Sequence, residues 1–569
     1  MKAIFGRSKG FVLSLPPVGR HRQAGRLRLP CMFVATGMAL VFSAIACGGE
    51  TLPPNLPVVP PPTTARVDAK PSSLETPDAT FRTQAPGKAD GMRPFVPPKV
   101  EELTLKNGIR VLFAPHAAST VSVSLVVRAG QGDVRGAKPG MLSFFGSMLE
   151  QGTETRSALK LSDDFEAIGA HHDASFGWDS GAISVDVLRE HLDTALDLLA
   201  DVAIHPSFPK DEIDRLRTRR LASLQTEKNN PSAMMSNAQA AVLFGRAHPY
   251  GHSITGEEGD LKAIGRADLV RLHKDIFVPS LVTIVVSGGV NDTTLIPALE
   301  RTFGRMTGAK KERGAPPVAP VVTKAPKDES RLVVVDKPRA AQSQIAVTQV
   351  GVPASTADRD ALSVMNAILG GMFSSRINLN LREKHAYTYG ARSYFAMRRG
   401  AGPFAASAAV VTDKTSPALH ELFVEIEKMR DQEVTEAELT GAKEGLVQAL
   451  PSRFETARDV VSALTDLVVY DWPADEYATR VDRISKVTEK DVLRVAQKLL
   501  APRTMKVVVV GDRQRLDADL ESMHLGPPDV RDAYGNKVDD KKAAATPAPR
   551  PASASPPPTP PTVAPKKKP

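Results

Sequence analysis

The sequence predicts an α+β fold in which one α/β sandwich domain is present twice, and three observations predict it. The first is a repeated ending. "DLVRLHKDIFVPSLVTIVVSGG", from Asp268, and "DVLRVAQKLLAPRTMKVVVVGD", from Asp491, align without a gap. Each reads as a helix opened by aspartate, a proline (Pro279, Pro502), and a β-branched strand closed by Gly288 or Gly511. The second is a repeated beginning. "RVLFAPHAASTVSVSLVVRAG" from Arg110 and "RLVVVDKPRAAQSQIAVTQVG" from Arg331 both read as two strands around a turn. The third is grouping: strands and helices come in clumps, which fits sandwich domains and excludes a doubly wound parallel sheet.

Each copy spans about 200 residues, and their expected bounds are 99–306 and 331–525. In the first copy "LKLSDDFEAIG" is a helix ended by Gly169, "SGAISVDVL" alternates as a strand, and "REHLDTALDLLADVAIH" is an amphipathic helix. "KDEIDRLRTRRLASLQTEKNNP" is a second long helix, stopped before Pro231. In the second copy "RDALSVMNAILGG" and "SPALHELFVEIEKMRDQ" play similar parts.

With 569 residues, 42% hydrophobic and 24% charged, the chain can bury more than one core. Its 46 prolines crowd into Thr51 to Pro98, the stretch around Ala315 to Lys327, and the tail after Thr546. Segments of that composition bury too little apolar area to offset chain entropy, so 47–98 and 307–330 are expected to be linkers and 526–569 a disordered tail. The net charge of +9 does not point to nucleic acid. Much of the excess lies in the first thirty residues and in Lys566, Lys567 and Lys568, outside any core.

Residues 1–46 have a secretory pattern: a basic stretch, then the apolar run "MFVATGMALVFSAIA", then Cys47. The run is short for a transmembrane helix. Ala44-Ile45-Ala46-Cys47 resembles the bacterial lipobox, with alanine where leucine is usual. That resemblance implies cleavage before Cys47, lipidation of its thiol and, because Gly48 is not aspartate, a tether to the periplasmic face of the outer membrane. The alternative is an ordinary signal peptide cut nearby and a periplasmic or secreted protein. Either cut removes Cys31, leaving the body without a disulfide or a cysteine-based zinc site.

The order of motifs from Val100 to Asp512 resembles the insulinase-like (pitrilysin, M16) metallopeptidases, in their two-domain bacterial and mitochondrial-processing form. "EQGTETRSA", "EAIGAHHDASFGWDS", "HPYGH", "GGMFSSRINLNLREKHAYTYGARS" and the two closing strands carry the resemblance. In that family the first domain holds zinc through an inverted H-x-x-E-H helix, whose glutamate activates the metal-bound water, and a later glutamate. Alignment of "KPGMLSFFGSMLEQGT" with that motif puts Ser143 at the first histidine, Gly146 at the glutamate and Ser147 at the second histidine. The later ligand falls on Ser223, or on its neighbour Leu224. Neutral hydroxyls are poor zinc ligands and Gly146 has no group to take a proton, so no cofactor is expected in this chain.

No other residues rebuild the site. His248 and His252 are separated by Pro249 and Gly251, which make a turn, and His171 and His172 fall on a strand whose successive side chains face opposite ways. Ser143 and Ser147 lie in no G-x-S-x-G elbow. "GGMFSSR" reads as a tight turn into a helix and lacks the ending of a phosphate loop.

The second copy keeps Arg382 and Tyr389, seven apart, at the spacing of the pair that in similar proteins reaches across to the zinc site. A guanidinium and a phenol can both donate hydrogen bonds to a peptide carbonyl and stabilise its oxyanion. The resemblance therefore implies a non-catalytic subunit that positions an unfolded peptide for a partner bearing H-x-x-E-H and its zinc. A structural or peptide-binding protein on the same fold is the rival reading. An autonomous zinc peptidase is the least supported.

Overall fold

A computed structural model describes residues 95–319 and 330–538, and they build two six-stranded sheets of matching order. The first sheet contains β1 (Glu101–Thr104), β2 (Arg110–Pro115), β3 (Thr120–Val127), β4 (His171–Phe176), β5 (Gly181–Leu188) and β6 (Val282–Gly288), in the order β1-β2-β6-β3-β5-β4. The second contains β7 (Leu332–Asp336), β8 (Gln342–Val350), β9 (Thr388–Phe395), β10 (Pro403–Val411), β11 (Lys506–Gly511) and β12 (Asp529–Arg531), in the order β12-β7-β11-β8-β10-β9. The repeated segments occupy equivalent places. Each closing strand slides between the two opening strands, parallel to the first and antiparallel to the second.

Five helices of the first half matter for the site: α1 (Met141–Leu149), α2 (Ala158–Ala167), α3 (Leu192–Ile204), α4 (Lys210–Glu227) and α5 (Pro231–Phe244). Two more, α6 (Arg266–Ile276) and, in the second half, α7 (Glu489–Leu499), precede the closing strands. Their aspartates stand in the third helical position. Asp268 caps the Gly265 amide and Asp491 caps Thr488, so both helices begin ahead of the expected aspartate.

Both faces of the closing strands are covered, which explains their unbroken apolar runs. On β6, Ile284 and Val286 pack into the first half's own core, while Val285 faces α8 (Ala457–Tyr470), a helix of the second half. On β11 the arrangement is mirrored: Val507 and Val509 face their own helices, and Val508 and Val510 lie under Met234, Met235 and Ala238 of α5. Each half thus lends a helix to the other's sheet. Helix α5 was not foreseen, because Pro231 read only as a stop. It also starts a helix: Asn230 Oδ1 accepts from the amides of Ser232 (2.9 Å) and Ala233 (3.3 Å), and proline stands where no donor is needed.

Two expected loose segments are ordered where described. Residues 307–319 form a strap: Lys311 exchanges backbone bonds with the Ser280 hydroxyl at 2.9 Å, and Arg313, 6% exposed, donates to the carbonyls of Asp179 and Val469. Arg313 lies 3.9 Å from Asp133, whose carboxylate also takes the Gly130 amide at 2.9 Å and an ion pair from Arg399 of the second half. Alongside, Asp179 accepts from Tyr250 (2.7 Å) and from the Arg399 amide (3.0 Å). Polar burial, not apolar area, orders this strap. Residues 526–538 likewise belong to the fold, with β12 parallel to β7. Beyond it, Gly535 at φ 81 passes so close to α5 that a Cβ there would stand 2.6 Å from the Asn237 carbonyl. The secretory pattern, Cys47 and most of the 47–98 segment lie outside the described residues.

Candidate functional site

Helix α1 is where the sequence placed the altered metal motif, and its packing decides what can stand there. Met141, Leu142, Phe144, Phe145, Met148 and Leu149 are buried, which leaves Ser143 and Ser147, four apart, on the one face that is only half-buried. Phe145 meets Phe176 of β4 edge-on, with ring centroids 5.2 Å apart. That contact brings the β4 backbone against Gly146. A Cβ at Gly146 would lie 3.0 Å from a ring carbon of Phe176, and 3.2 Å from both the Ala174 carbonyl oxygen and the Phe176 nitrogen. Those distances are tighter than ordinary Cβ contacts, so a side chain there requires the ring or the strand to give by a few tenths of an ångström.

Across the open face runs α4. Arg220 Nη2 donates to Ser147 Oγ at 2.7 Å, and Ser147 Oγ turns back to the Ser143 carbonyl at 3.4 Å. Burial pulls the Arg220 pKa below the ordinary arginine value, partly offset by Glu227 and reinforced by Arg219. Ser223, one turn further on, is exposed and donates to its own helix at the Arg219 carbonyl (3.2 Å). Leu224 is 1% exposed in the core. The structure therefore joins Arg220 to Ser147, one turn from Ser143 on the same helix face, and leaves Ser223 bonded to its own helix. Arg220 was missed in the sequence; its only signal was a position three residues before Ser223, on the same helix face.

This donor set does not fit zinc. The two hydroxyls are neutral, the base position is a glycine with no group to take a proton, and a permanent cation sits against Ser147 where a divalent ion would have to approach. Among the described residues no group of three or more His, Cys, Asp or Glu is gathered to hold a metal ion.

The histidines have structural work. His172 Nδ1 lies 3.0 Å from Glu150 and the ring stacks on Phe165 of α2 at 4.1 Å, while neighbouring His171 is exposed. His248 Nδ1 accepts the Tyr250 amide at 3.0 Å, and His252 Nδ1 lies 3.1 Å from the Ser253 carbonyl. Burial holds both imidazoles below the ordinary histidine value.

Arg382 and Tyr389 lie in a braced segment of the second half. A helical turn, Arg376–Asn378, runs into a π turn, Leu379–Lys384, that carries Arg382. Arg376 grips Glu438 through two bonds of 2.6 and 2.8 Å. Buried Asn378 donates to the Phe373 carbonyl (2.7 Å) and accepts the Ala391 amide (3.1 Å), tying the turn to β9. The Arg382 guanidinium lies 4.7 Å from the centre of the Phe373 ring and 3.3 Å from Glu383. Tyr389, on the edge strand β9, is 91% exposed. Among the described residues no hydrogen bond, ion pair or ring contact joins either side chain to α1 or to the other.

Comparison with known proteins follows this division into halves. A sequence model described as insulinase (peptidase family M16) matches residues 110–255, and one described as peptidase M16 inactive domain matches residues 263–446. An uncharacterized zinc protease of Mycobacterium tuberculosis is 27% identical over 427 residues, covering 74% of this chain and 95% of its own. A protein of Arabidopsis thaliana described as a probable mitochondrial-processing peptidase subunit beta is 25% identical over 504 residues, covering 85% of this chain and 93% of its own. Two crystal structures share the fold. A peptidase M16 inactive domain from Pseudomonas fluorescens has a TM-score of 0.65 at 22% identity, covering 73% of this chain and 98% of its own. A protease from Helicobacter pylori has a TM-score of 0.67 at 21% identity, covering 73% and 100%.

Proposed function

The chain belongs to the insulinase-like peptidase family M16, and from that premise we propose that it is a catalytically incomplete subunit that positions peptide substrate for a zinc-bearing partner. One observation carries the reading: the base position on α1 is a glycine against β4 and its neighbour Ser147 is held by Arg220, while Arg382 and Tyr389 stay accessible on a braced turn and strand. A chain without a base cannot activate water. Arg382 and Tyr389 still can donate hydrogen bonds to a peptide carbonyl, hold it in place and stabilise the oxyanion as water attacks. The partner's H-x-x-E-H helix would hold the zinc, which would supply the Lewis acid for that water. An unfolded peptide is the substrate class, since an extended backbone can add as a strand to an exposed sheet edge. The assembly sits at the periplasmic face of the outer membrane, tethered through lipidated Cys47.

Isolation of the tagged chain from its own cell envelope tests this. A second chain carrying H-x-x-E-H should copurify, zinc should track that chain, and Arg382→Ala should lower the peptidase activity of the complex. Recovery of this chain alone, near-stoichiometric zinc in it, or full activity of the Arg382→Ala complex overturns the reading. Cys47→Ser should move the protein from the membrane to the soluble fraction.

A further inference from the structure

The α1–α4 face holds a cation with no acid to answer it. Arg220 makes one hydrogen bond, to a neutral hydroxyl, and among the described residues no carboxylate comes within ion-pair distance; Glu227 acts on it only at longer range. The guanidinium is half-buried, so it has given up part of its hydration without the usual repayment. Its remaining N–H groups are not sealed in the interior, as those of Arg313 and Arg359 partly are. Ser143, one turn before Ser147 on the same half-buried helix face, makes no side-chain hydrogen bond among the described residues. A planar fork of donors with a hydroxyl one helical turn away matches a carboxylate, which takes two parallel N–H bonds.

We propose that this face binds a peptide carboxylate, C-terminal or side-chain, with Arg220 as the charged donor and Ser143 as the neutral one. The altered metal site is then a binding site of a new kind. A fixed monovalent cation replaces the metal, and it holds an anion where the family holds a scissile bond. Ser147 keeps the guanidinium in place: its oxygen occupies one Nη2 proton and its own proton is spent on the Ser143 carbonyl. The inference shares with the function proposed above only that peptides reach the chain, and its test uses this chain without a partner.

A fluorescein-labelled, unstructured nonapeptide with a free C-terminus, its C-terminal amide, and an amide with one internal glutamate are titrated by anisotropy to about 1 mM against the full-length chain. The free acid should bind about tenfold more tightly than the amide. Arg220→Gln should erase that difference and leave the amide unchanged, and Arg220→Lys should keep part of it. Recovery of affinity by the internal glutamate assigns the carboxylate to a side chain; failure to recover assigns it to the C-terminus. Equal affinity of acid and amide, including no measurable binding of either, overturns the proposal. So does a preference that survives in Arg220→Gln or, should that variant not fold, in Arg220→Lys at full strength. Displacement of the acid by inorganic phosphate below the concentration at which acetate acts would also overturn it.

Discussion

Gly146→Ala separates a glycine that the fold requires from one that drift left behind. In an open helix the change stabilises by about 1 kcal/mol, because alanine surrenders less backbone entropy than glycine. Here the added methyl would stand 3.0 Å from the Phe176 ring and 3.2 Å from two backbone atoms of β4. Backbone yields less readily than the end of a flexible side chain, so α1 or β4 must give by a few tenths of an ångström where Phe145 packs on Phe176 and Phe208. Overpacking of this kind costs about 1–3 kcal/mol. Set against the helix gain, the net is a loss of about 0–2 kcal/mol. Urea unfolding followed by tryptophan fluorescence measures it, with half-buried Ser143→Ala on the same helix as the control that should change little. A variant stabilised by the full helix gain would show that β4 does not press on Gly146. Gly146→Glu adds an unpaired carboxylate to the same clash and should prevent folding.

Two pH dependences follow from carboxylates displaced in opposite directions. Burial raises Asp133 from 3.8 to about 6 against the pull of Arg313 and Arg399. The folded state therefore holds this proton more tightly than the unfolded chain: the contribution is full below pH 3.8 and is lost as pH rises to about 6, roughly 3 kcal/mol in all. Asp133→Asn should flatten that slope in urea titrations between pH 4 and 6. Glu438, bonded first of all by Arg376, is lowered from 4.5 to about 2. Its stabilisation is present above pH 4.5 and lost as pH falls through 2, about 2 kcal/mol after allowance for a carboxylate 30% exposed to water. Glu438→Gln should remove the acid-side loss, and an unchanged profile would mean that the Arg376 fork does not brace the turn.

What was legible in the sequence was whatever repeats locally. The closing strands announce themselves because both faces of β6 and β11 are buried, which forces a β-branched run that periodicity can see. The helix exchange was not legible. Met234, Met235 and Ala238 of α5 are apolar because of Val508 and Val510, more than two hundred and fifty residues away, and no local pattern names so distant a partner. The strap around Arg313 failed for a different reason. Composition measures apolar area, whereas this segment is held by guanidinium bonds to the carbonyls of Asp179 and Val469. At the site, the residue types at Ser143, Gly146 and Ser147 could be read one by one. Arg220 could not, since its meaning depends on α4 lying across α1.

Those last residues bear on what a substitution in the motif would meet. A side chain at Gly146 would press on β4, whose atoms stand 3.0–3.2 Å from the Cβ position, and a metal ion at Ser147 would meet the Arg220 cation bonded there. Meanwhile Asn378 and the Arg376–Glu438 pair spend buried polar contacts on presenting a turn and a strand whose own side chains, Phe373 (65% exposed) and Tyr389, bury little of themselves. The Phe373 ring in turn carries the Arg382 guanidinium 4.7 Å from its centre, so the support presents a guanidinium on the turn and, on the strand beside it, a phenol that is 91% exposed.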